Sequence, residues 1–238
     1  MKSIIEGERA LCFWLSQLTE VSLNHSDQQI KQDASDMVSL MTPVVKSLFS
    51  DLGMEITSDA MQIYGGYGYT KDQGIEQLYR DNRITPIYEG TNSVQAADLV
   101  FRKLSNKNGN IINKFLELIK SEINSNNEKI RPFTEEFNNY LDILKKFSDW
   151  TVERAKTNKD DVSAAANDYL KTLGYISIAF AWIKTLEVSF KDYEENKKFY
   201  DDKINTAKFY FEKVLPRAEQ HYKSAISGSS NIMNFNFN

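Results

Sequence analysis

The sequence predicts an all-α protein, in which an antiparallel helical bundle is followed by a second helical bundle. Apolar residues recur at three- to four-residue spacing along nearly the whole chain, which is the period of amphipathic helices. The 238 residues include only 4 prolines and 10 glycines, and this scarcity of turn-forming residues favours long helices over a β architecture. The length suffices for one large or two small domains.

The first two helices are predicted on either side of a short polar turn. The apolar spacing indicates a first helix over residues 3–24. His25-Ser26-Asp27 indicates a turn into the next helix, whose apolar stripe includes Met37, Leu40 and Met41. Thr42 and Pro43 then have the pattern of a further helix start, with Thr as the cap and Pro in the first turn. Gly65 and Gly66 then end this helix, because glycine readily adopts the left-handed conformation that closes a helix.

Shorter elements are predicted after this glycine pair. Residues 65–75 form a loop and residues 75–83 a short helix. Residues 84–90 are irregular, since they contain a proline, which disfavours helix at the residue before it. Thr91 caps a further helix over residues 92–106. The apolar edge of that helix is predicted to consist of Val94, Leu99, Val100 and Leu104.

A polar cluster at residues 106–110 is the predicted boundary between two domains, residues 1–106 and residues 110–238. Thr134 is predicted to cap the second helix beyond this boundary, and Pro216 to kink the last helix or begin a new segment. The four helices predicted beyond the boundary cover residues 110–125, 134–157, 160–188 and 197–226.

Composition argues against several classes of function. The formal net charge of −4 gives no support to binding of nucleic acid or of an anionic membrane. No apolar run approaches the about 20 residues needed to cross a bilayer, and the N-terminus lacks the apolar core of a signal peptide. Cys12 is the only cysteine, which fits a reducing compartment, so a cytoplasmic location is expected. The two histidines, His25 and His221, form no cluster with metal-ligand spacing, and no metal site is predicted.

Glu89 is the candidate for chemistry that the residues themselves single out. It lies in the tetrapeptide Tyr-Glu-Gly-Thr, after a proline-broken segment and directly before the predicted helix cap at Thr91. A carboxylate there can complement the helix dipole, and it can also act as a general base if it becomes desolvated. Spacing alone favours the dipole role. Gly65 and Gly66, taken alone, likewise fit a plain helix end.

Residues 62–104, with the segment QIYGGYGY, the pair Arg80-Asp81 and the tetrapeptide around Glu89, resemble in order the last part of the acyl-CoA dehydrogenase flavoproteins. The motif-level similarity covers residues 40–105. Residues 1–105 look like the final three helices of that family's C-terminal four-helix bundle. Residues 110–238 resemble the helical extension of the longer bacterial members, including those that act on methylthiopropanoyl-CoA.

The resemblance implies roles for eight residues. Glu89 would be the catalytic base that removes the α-proton of the acyl thioester, and Gly90 would let the thioester lie close to the backbone. The remaining residues would contact the cofactor FAD, from the QIYGG segment and from the start of the helix after Glu89: Gln62, Gly65, Gly66, Thr91, Asn92 and Ser93. Many relatives carry Gln or Glu where this chain has Ser93. The Arg80-Asp81 pair would be a structural ion pair.

The resemblance also implies partners: an acyl-CoA substrate, an electron-transfer flavoprotein as acceptor, and further copies of the chain in a homo-oligomer. The family's N-terminal helical domain, middle β-domain and first bundle helices have no counterpart here, so the chain is expected to be a fragment that is inactive alone. Two alternatives remain open. One is an acyl-CoA oxidase, which passes its electrons to oxygen. The other is a non-catalytic helical module for assembly or partner binding.

Overall fold

The computed structural model describes residues 1–105, 109–123 and 127–236, and these residues form helices and turns without any strand. The predicted all-α class is therefore confirmed. In chain order, the helices are α1 (Lys2–Asn24), α2 (Gln28–Tyr64), α3 (Gly66–Tyr69), α4 (Ile75–Asn82), α5 (Asn92–Ala97), α6 (Asn110–Glu122), α7 (Arg131–Thr157), α8 (Lys159–Lys191), α9 (Lys197–Phe209), α10 (Arg217–Ala225) and α11 (Ser230–Met233). Two π-helical segments, Asp98–Leu104 and Tyr210–Val214, continue α5 and α9.

Helix α2 is one continuous helix of 37 residues, so the predicted start at Thr42 and Pro43 is wrong. The helix begins after Asp27, whose side chain accepts hydrogen bonds from the next turn, and Pro43 lies inside it. Thr42 Oγ1 donates to the Val38 carbonyl at 2.7 Å instead of capping a new helix. An internal proline costs about 3 kcal/mol, and burial of the apolar stripe on both sides offsets that cost. That stripe consists of Met37, Leu40, Met41, Val44 and Leu48.

The end of α2 agrees with the prediction, and the segment after it is more helical than expected. Gly65 caps α2 with a φ of 60°, and its N–H donates to the Gln62 carbonyl. The predicted loop over residues 65–75 instead contains α3 and a 3₁₀ turn at Lys71–Gln73. The short helix α4 and the irregular segment over residues 84–90 are as predicted.

Helix α5 starts as predicted and then departs from the α period. Thr91 caps it, because its hydroxyl accepts a hydrogen bond from the Val94 N–H. Three of the four predicted apolar-edge residues are buried, but Val94 is 58% exposed. The π-helical segment Asp98–Leu104 lies between Val94 and the end of the helix. A π turn holds extra residues, so it shifts the apolar stripe around the helix. The α-helical spacing counted back from the buried residues of this segment therefore puts Val94 on the buried face, although it is exposed.

Two helix starts in the second half have different outcomes. Thr134 is not a cap, because α7 begins at Arg131 with Pro132 in its first turn, and Thr134 Oγ1 donates to the Arg131 carbonyl. Proline is pre-organised for a helical first turn, so it sets this start instead of the threonine. Pro216, by contrast, precedes α10 directly, as predicted.

Helix α8 is the centre of the fold. It packs against α1, α2, α5, α7, α9 and α10, which come from both sides of the predicted boundary, and the buried residues form one hydrophobic core. Close helix approach depends on small residues: a Cβ added to Gly174 would lie 2.3 Å from Leu48 Cδ2 on α2. Of the predicted boundary cluster, residues 106–108 lie outside the described residues. The division into two domains stays a prediction.

Helix α8 contradicts the expectation that no segment is long and apolar enough to cross a bilayer. Helix α8, 33 residues long, meets that test by length and composition. However, 72% of its most apolar 18-residue window is buried inside the protein, and the side chains there pack against other helices. This burial is what a core helix of a folded domain requires.

Candidate active site

The turn that contains Glu89 and Gly90 links α4 to α5 and has an unusual backbone. Glu89 has a φ of 51°, and among the described residues it is the only non-glycine residue with positive φ. Gly90 follows with a φ of 86°. A non-glycine residue in this region costs of order 1–3 kcal/mol and persists only when its surroundings hold it. Such strain is typical of functional sites.

Two side chains hold this turn by its carbonyl oxygens, and one backbone hydrogen bond supports it. Lys46 Nζ, from the middle of α2, donates to the Gly90 carbonyl at 2.7 Å and to Asn92 Oδ1 at 2.9 Å. Gln95 Nε2 donates to the Glu89 carbonyl at 3.1 Å. The backbone N–H of Asn92 also donates to the Pro86 carbonyl at 3.1 Å. The turn is therefore fixed both locally and against α2.

The Asn92 side chain is an anchor on α2. Its Nδ2 donates to the Ser47 carbonyl at 3.1 Å, to Ser50 Oγ at 2.9 Å and to Asp51 Oδ1 at 2.7 Å. Asp51 in turn has its second oxygen 3.6 Å from Lys171 Nζ on α8. The amide of Asn92 is thus engaged within the protein, although the sequence analysis assigned this residue to the cofactor.

The turn also carries a carboxylate and backbone N–H groups that have no hydrogen-bond partner among the described residues. The Glu89 side chain is exposed and makes no hydrogen bond or ion pair with the described residues. The N–H groups of Glu89, Gly90 and Thr91 likewise meet no acceptor in the described part of the chain. Successive free N–H groups in left-handed backbone form a concavity that suits an anion or a polarised carbonyl oxygen. A carboxylate and a set of N–H donors therefore stand together on one surface.

Two other predicted site residues, Thr91 and Ser93, directly follow this turn. Thr91 uses its hydroxyl as the cap of α5, so only its exposed backbone faces outward. Ser93 is exposed, and its Oγ accepts a hydrogen bond from Asn167 Nδ2 of α8 at 3.4 Å. Gly90 has limited room, because an added Cβ would lie 3.0 Å from Gln95 Nε2.

The QIYGG segment lies elsewhere along α2. Asp51, beneath the turn, and Gln62 are eleven residues apart on one helix, which is about 16 Å along its axis. Gln62, Gly65 and Gly66 are exposed, and a Cβ added to either glycine would meet nothing within 4 Å. The fold of one chain therefore does not bring the two groups of predicted cofactor residues together. It places them at two separate exposed positions.

Exposed apolar side chains are frequent from the end of α2 to the start of α5. They are large, with relative exposures from 37% to 79%. Exposed apolar side chains in such number suit a surface that contacts a partner. We call this surface the apolar face, and it consists of Ile63, Tyr64, Tyr67, Tyr69, Leu78, Tyr79, Ile84, Ile87, Tyr88 and Val94.

The predicted ion pair between Arg80 and Asp81 is absent from the described part of the chain, and both residues are exposed. Adjacent residues on a helix point to different sides of it, so this spacing does not favour a pair. The described residues also contain no cluster of His, Cys, Asp or Glu that could hold a metal ion.

Sequence reasoning missed Lys46 and Gln95. Lys46 lies in an amphipathic helix 44 positions before Gly90, where a lysine ordinarily marks the solvent side. Gln95 is one turn into α5 and has no local motif. A contact between distant positions leaves no signal in the periodicity of one sequence, so only the structure reveals these two residues.

Comparison with known families gives two matches that together cover most of the chain. A family described as "Acetyl-CoA dehydrogenase C-terminal like" matches residues 111–236. A family described as "Acyl-CoA dehydrogenase, C-terminal domain" matches residues 19–104. The first match alone spans more than half of the chain.

Curated relatives are similar over part of their own length. A 3-methylmercaptopropionyl-CoA dehydrogenase from Ruegeria pomeroyi is 37% identical over 123 residues, which are 50% of this chain and 20% of that protein. A butyryl-CoA dehydrogenase from Syntrophomonas wolfei is 28% identical over 226 residues, which are 90% of this chain and 36% of that protein. This chain therefore spans between a fifth and about a third of the length of these relatives.

Solved structures share the fold. ACDH-11 from Caenorhabditis elegans, in complex with C11-CoA, superposes with a TM-score of 0.74 at 21% identity, over 100% of this chain and 39% of that chain. An acyl-CoA dehydrogenase from Bacillus anthracis, in complex with FAD, gives a TM-score of 0.73 at 16% identity, over 94% of this chain and 40% of that chain. At these identities the likeness concerns the helical architecture.

Proposed function

The chain belongs to the acyl-CoA dehydrogenase family, and we propose that it forms the C-terminal part of an enzyme that dehydrogenates an acyl-CoA thioester with FAD. The observation that carries the proposal is the turn at Glu89 and Gly90. It combines an exposed carboxylate, strained backbone and unpaired N–H groups, on the residues that resemble the family's catalytic motif. Each of these features suits a group that acts on a bound ligand.

Glu89 is proposed as the base. Its carboxylate would take the α-proton of the acyl group, and the electron pair of that C–H bond would form the double bond as a hydride leaves the β-carbon. Accepting that hydride is the chemistry that FAD supplies when bound.

The backbone around Glu89 is proposed to bind the thioester. The free N–H groups of Glu89, Gly90 and Thr91 suit the carbonyl oxygen, which gains negative charge as the α-proton leaves. Gly90 has no Cβ, so the acyl chain can approach the main chain there. Donors that are fixed before reaction stabilise this charge without reorganisation.

The residues proposed to contact FAD fit an extended molecule. Gln62, Gly65 and Gly66 are open to solvent at one point of the surface, and Thr91 and Ser93 are exposed at another point. A dinucleotide can span two such points, or the two points can serve cofactors bound with different copies of the chain. Asn92 supports this surface from beneath by its bonds to α2.

The proposed partners follow from the same surface. The apolar face requires cover, and the rest of the enzyme or a second copy of the chain in a homo-oligomer would provide it. Acyl-CoA is the proposed substrate, and an electron-transfer flavoprotein is the proposed acceptor of the electrons. An oxidase would hand them to oxygen instead, so aerobic and anaerobic turnover with a dye acceptor distinguishes the two activities.

A non-catalytic role for the chain by itself is the second candidate, and the openness of the site favours it. Glu89 and the glycines of the QIYGG segment stand in solvent, whereas a redox site must exclude water. The visible absorbance of the purified protein distinguishes the flavoenzyme from the non-catalytic module, because a bound flavin absorbs at about 450 nm in any protein that holds it.

The proposal is tested by Glu89→Gln in the complete enzyme, because the amide keeps the shape of the side chain but accepts no proton. Turnover should fall by about 10²–10⁴-fold while flavin stays bound. Asp59→Asn, which alters an exposed acid elsewhere on α2, is the matched control and should keep full turnover. Full activity in Glu89→Gln would refute the assignment of the base.

A further inference from the structure

We propose that Lys46 is a positioning residue, which holds the turn at Glu89 and Gly90 in register with α2 so that the Glu89 carboxylate is aimed at its target. This inference rests on the proposed function of Glu89. The juxtaposition that carries it is a single ammonium group between the Gly90 carbonyl, at 2.7 Å, and Asn92 Oδ1, at 2.9 Å. The two acceptors flank Thr91, so one side chain grips both ends of the segment that joins the turn to α5.

The ammonium of Lys46 depends on these two bonds. The side chain is half-buried, and no carboxylate lies within 4.0 Å of it in the described part of the chain. A charged group that is partly removed from water needs hydrogen-bond partners, and its bonds to carbonyl oxygens are charge-assisted and short. Since these acceptors belong to the turn, the turn cannot move away without leaving the charge poorly solvated.

The turn needs such a restraint because its backbone is strained. Glu89, with a φ of 51°, would relax to negative φ if nothing opposed it. Gln95 holds the Glu89 carbonyl, but Gln95 belongs to the adjacent helix and moves with the turn. Lys46 belongs to another element, and it is the α2 residue that reaches the carbonyl of Gly90, whereas the other α2 contacts are made to the Asn92 side chain. It therefore fixes where the turn lies and not only its internal shape.

The part of α2 that carries Lys46 is held in the hydrophobic core. Neighbouring α2 residues Ser47, Leu48 and Ser50 are buried, and the Asn92 amide donates to Asp51 on the same surface of the helix. Asp51 continues the chain of contacts to Lys171 on the central helix α8. A displacement of about 1 Å at a reacting group can lower a rate by about 10²-fold, so a restraint that links the base to the core bears directly on turnover.

The first test uses the 238-residue chain and measures the turn itself. Lys46→Met removes the charge and the donors at similar length. We expect the amide NMR signals of Glu89 and Gly90 to shift and broaden and their hydrogen exchange to accelerate, while the thermal midpoint changes little. Lys46→Arg should restore the wild-type signals, because it keeps a cation with several donors. Wild-type signals in Lys46→Met would overturn the proposal.

The second test measures turnover in the complete enzyme. Lys46→Met should lower kcat by about 10–100-fold with KM and flavin content nearly unchanged, and Lys46→Arg should recover most of the loss. Lys114→Met is the matched control: Lys114 also donates to two side chains of α2, Asp33 and Asp36, away from the turn, and its loss should leave kcat unchanged. A loss in Lys46→Met that accompanies unfolding, without rescue by Lys46→Arg, would show a structural role and overturn the proposal.

The two hypotheses fail differently. If Glu89→Gln abolishes turnover and Lys46→Met keeps wild-type kcat, only the positioning role is refuted. If Glu89→Gln keeps full turnover, the proposed base is refuted, and the NMR result on the turn still decides whether Lys46 holds it. Should Lys46→Met fail to fold, Lys46→Gln replaces it in both tests, since it keeps one neutral donor of similar length.

Discussion

The indole Nε1 of Trp182 donates a hydrogen bond to the carbonyl of Ser3 at 2.9 Å, across the contact between α1 and α8. Both residues are buried, so this bond satisfies two polar groups that water cannot reach. Gly7 lies one turn further along α1, where a Cβ would stand 2.6 Å from the same Nε1 and 2.5 Å from Ile178 Cγ2. The two helices approach this closely because position 7 has no side chain.

Gly7→Ala should destabilise the protein by about 1–3 kcal/mol, because overpacking forces Trp182 or Ile178 from its place. Gly66→Ala is the matched control, since a Cβ there meets nothing within 4 Å and its φ is not positive. That change should be neutral or stabilising in the chain by itself. Urea unfolding of both variants measures the effect, and equal stability of Gly7→Ala and wild type would contradict the close packing.

The stability of the chain should depend on pH through Glu8. Burial raises the pKa of this carboxyl from 4.5 to about 8, and its Oε1 has no hydrogen-bond partner among the described residues. Between these two pH values the unfolded chain releases a proton that the folded chain keeps. The contribution of Glu8 to the free energy of unfolding should therefore be highest below about pH 4.5 and should fall as the pH rises to about 8.

Glu8→Gln should remove this slope and make the protein more stable than wild type at pH 8, by on the order of a few kcal/mol. Glu20→Gln, an exposed position on the same helix, should keep the wild-type slope. Urea denaturation at several pH values provides the measurement. An unchanged slope in Glu8→Gln would show that this carboxyl is ionised in the folded state.

Limited proteolysis should cut first within residues 106–110, where the sequence is polar and contains Gly109. The two products should nevertheless stay together on gel filtration, because α8 packs against α1, α2 and α5 in one core. Mass spectrometry locates the cut. Early cuts within residues 43–64, or products that elute separately, would contradict the prediction.

The 238-residue chain alone should be helical, bind no stoichiometric FAD and show no acyl-CoA-dependent dye reduction. It should also self-associate through the apolar face. The double variant Tyr67→Ser and Tyr69→Ser, which removes the two most exposed tyrosines of that face, should lower the mass found by light scattering. Phe209→Ser, an exposed position on α9, is the control and should leave the mass unchanged. Stoichiometric FAD with turnover would refute the inactivity, and a strictly monomeric wild-type chain would refute the self-association.

The fold could be predicted largely from local signals, and the two failures have different causes. The α1 and α4 helices, the end of α2 at Gly65 and the cap at Thr91 follow from periodicity and capping chemistry within a few residues. Pro43 has the local pattern of a helix start, but burial of the apolar stripe on both sides of it keeps α2 continuous. Thr134 has the same pattern, but Pro132 sets the start of α7 before it.

The candidate site could be predicted only in part. Glu89 was singled out by its tetrapeptide and by a family resemblance, and its strained backbone agrees with a special role, although its function as base stays a prediction. Lys46 could not be found in this way, because its partner lies 44 positions away and lysine in an amphipathic helix is unremarkable in a single sequence.

The central position of α8 also constrains how the protein is made. Helices α1 and α2 are synthesised before α8, which packs against both of them and ends at Lys191, 127 residues after Tyr64. At elongation rates of about 5–20 residues per second, that interval lasts roughly ten seconds. During this time the contacts of α2 with α8 cannot form, so the α2 residues that face α8, such as Val44 and Leu48, lack part of their native cover. The nascent chain is therefore exposed to aggregation and to chaperone binding until α8 emerges.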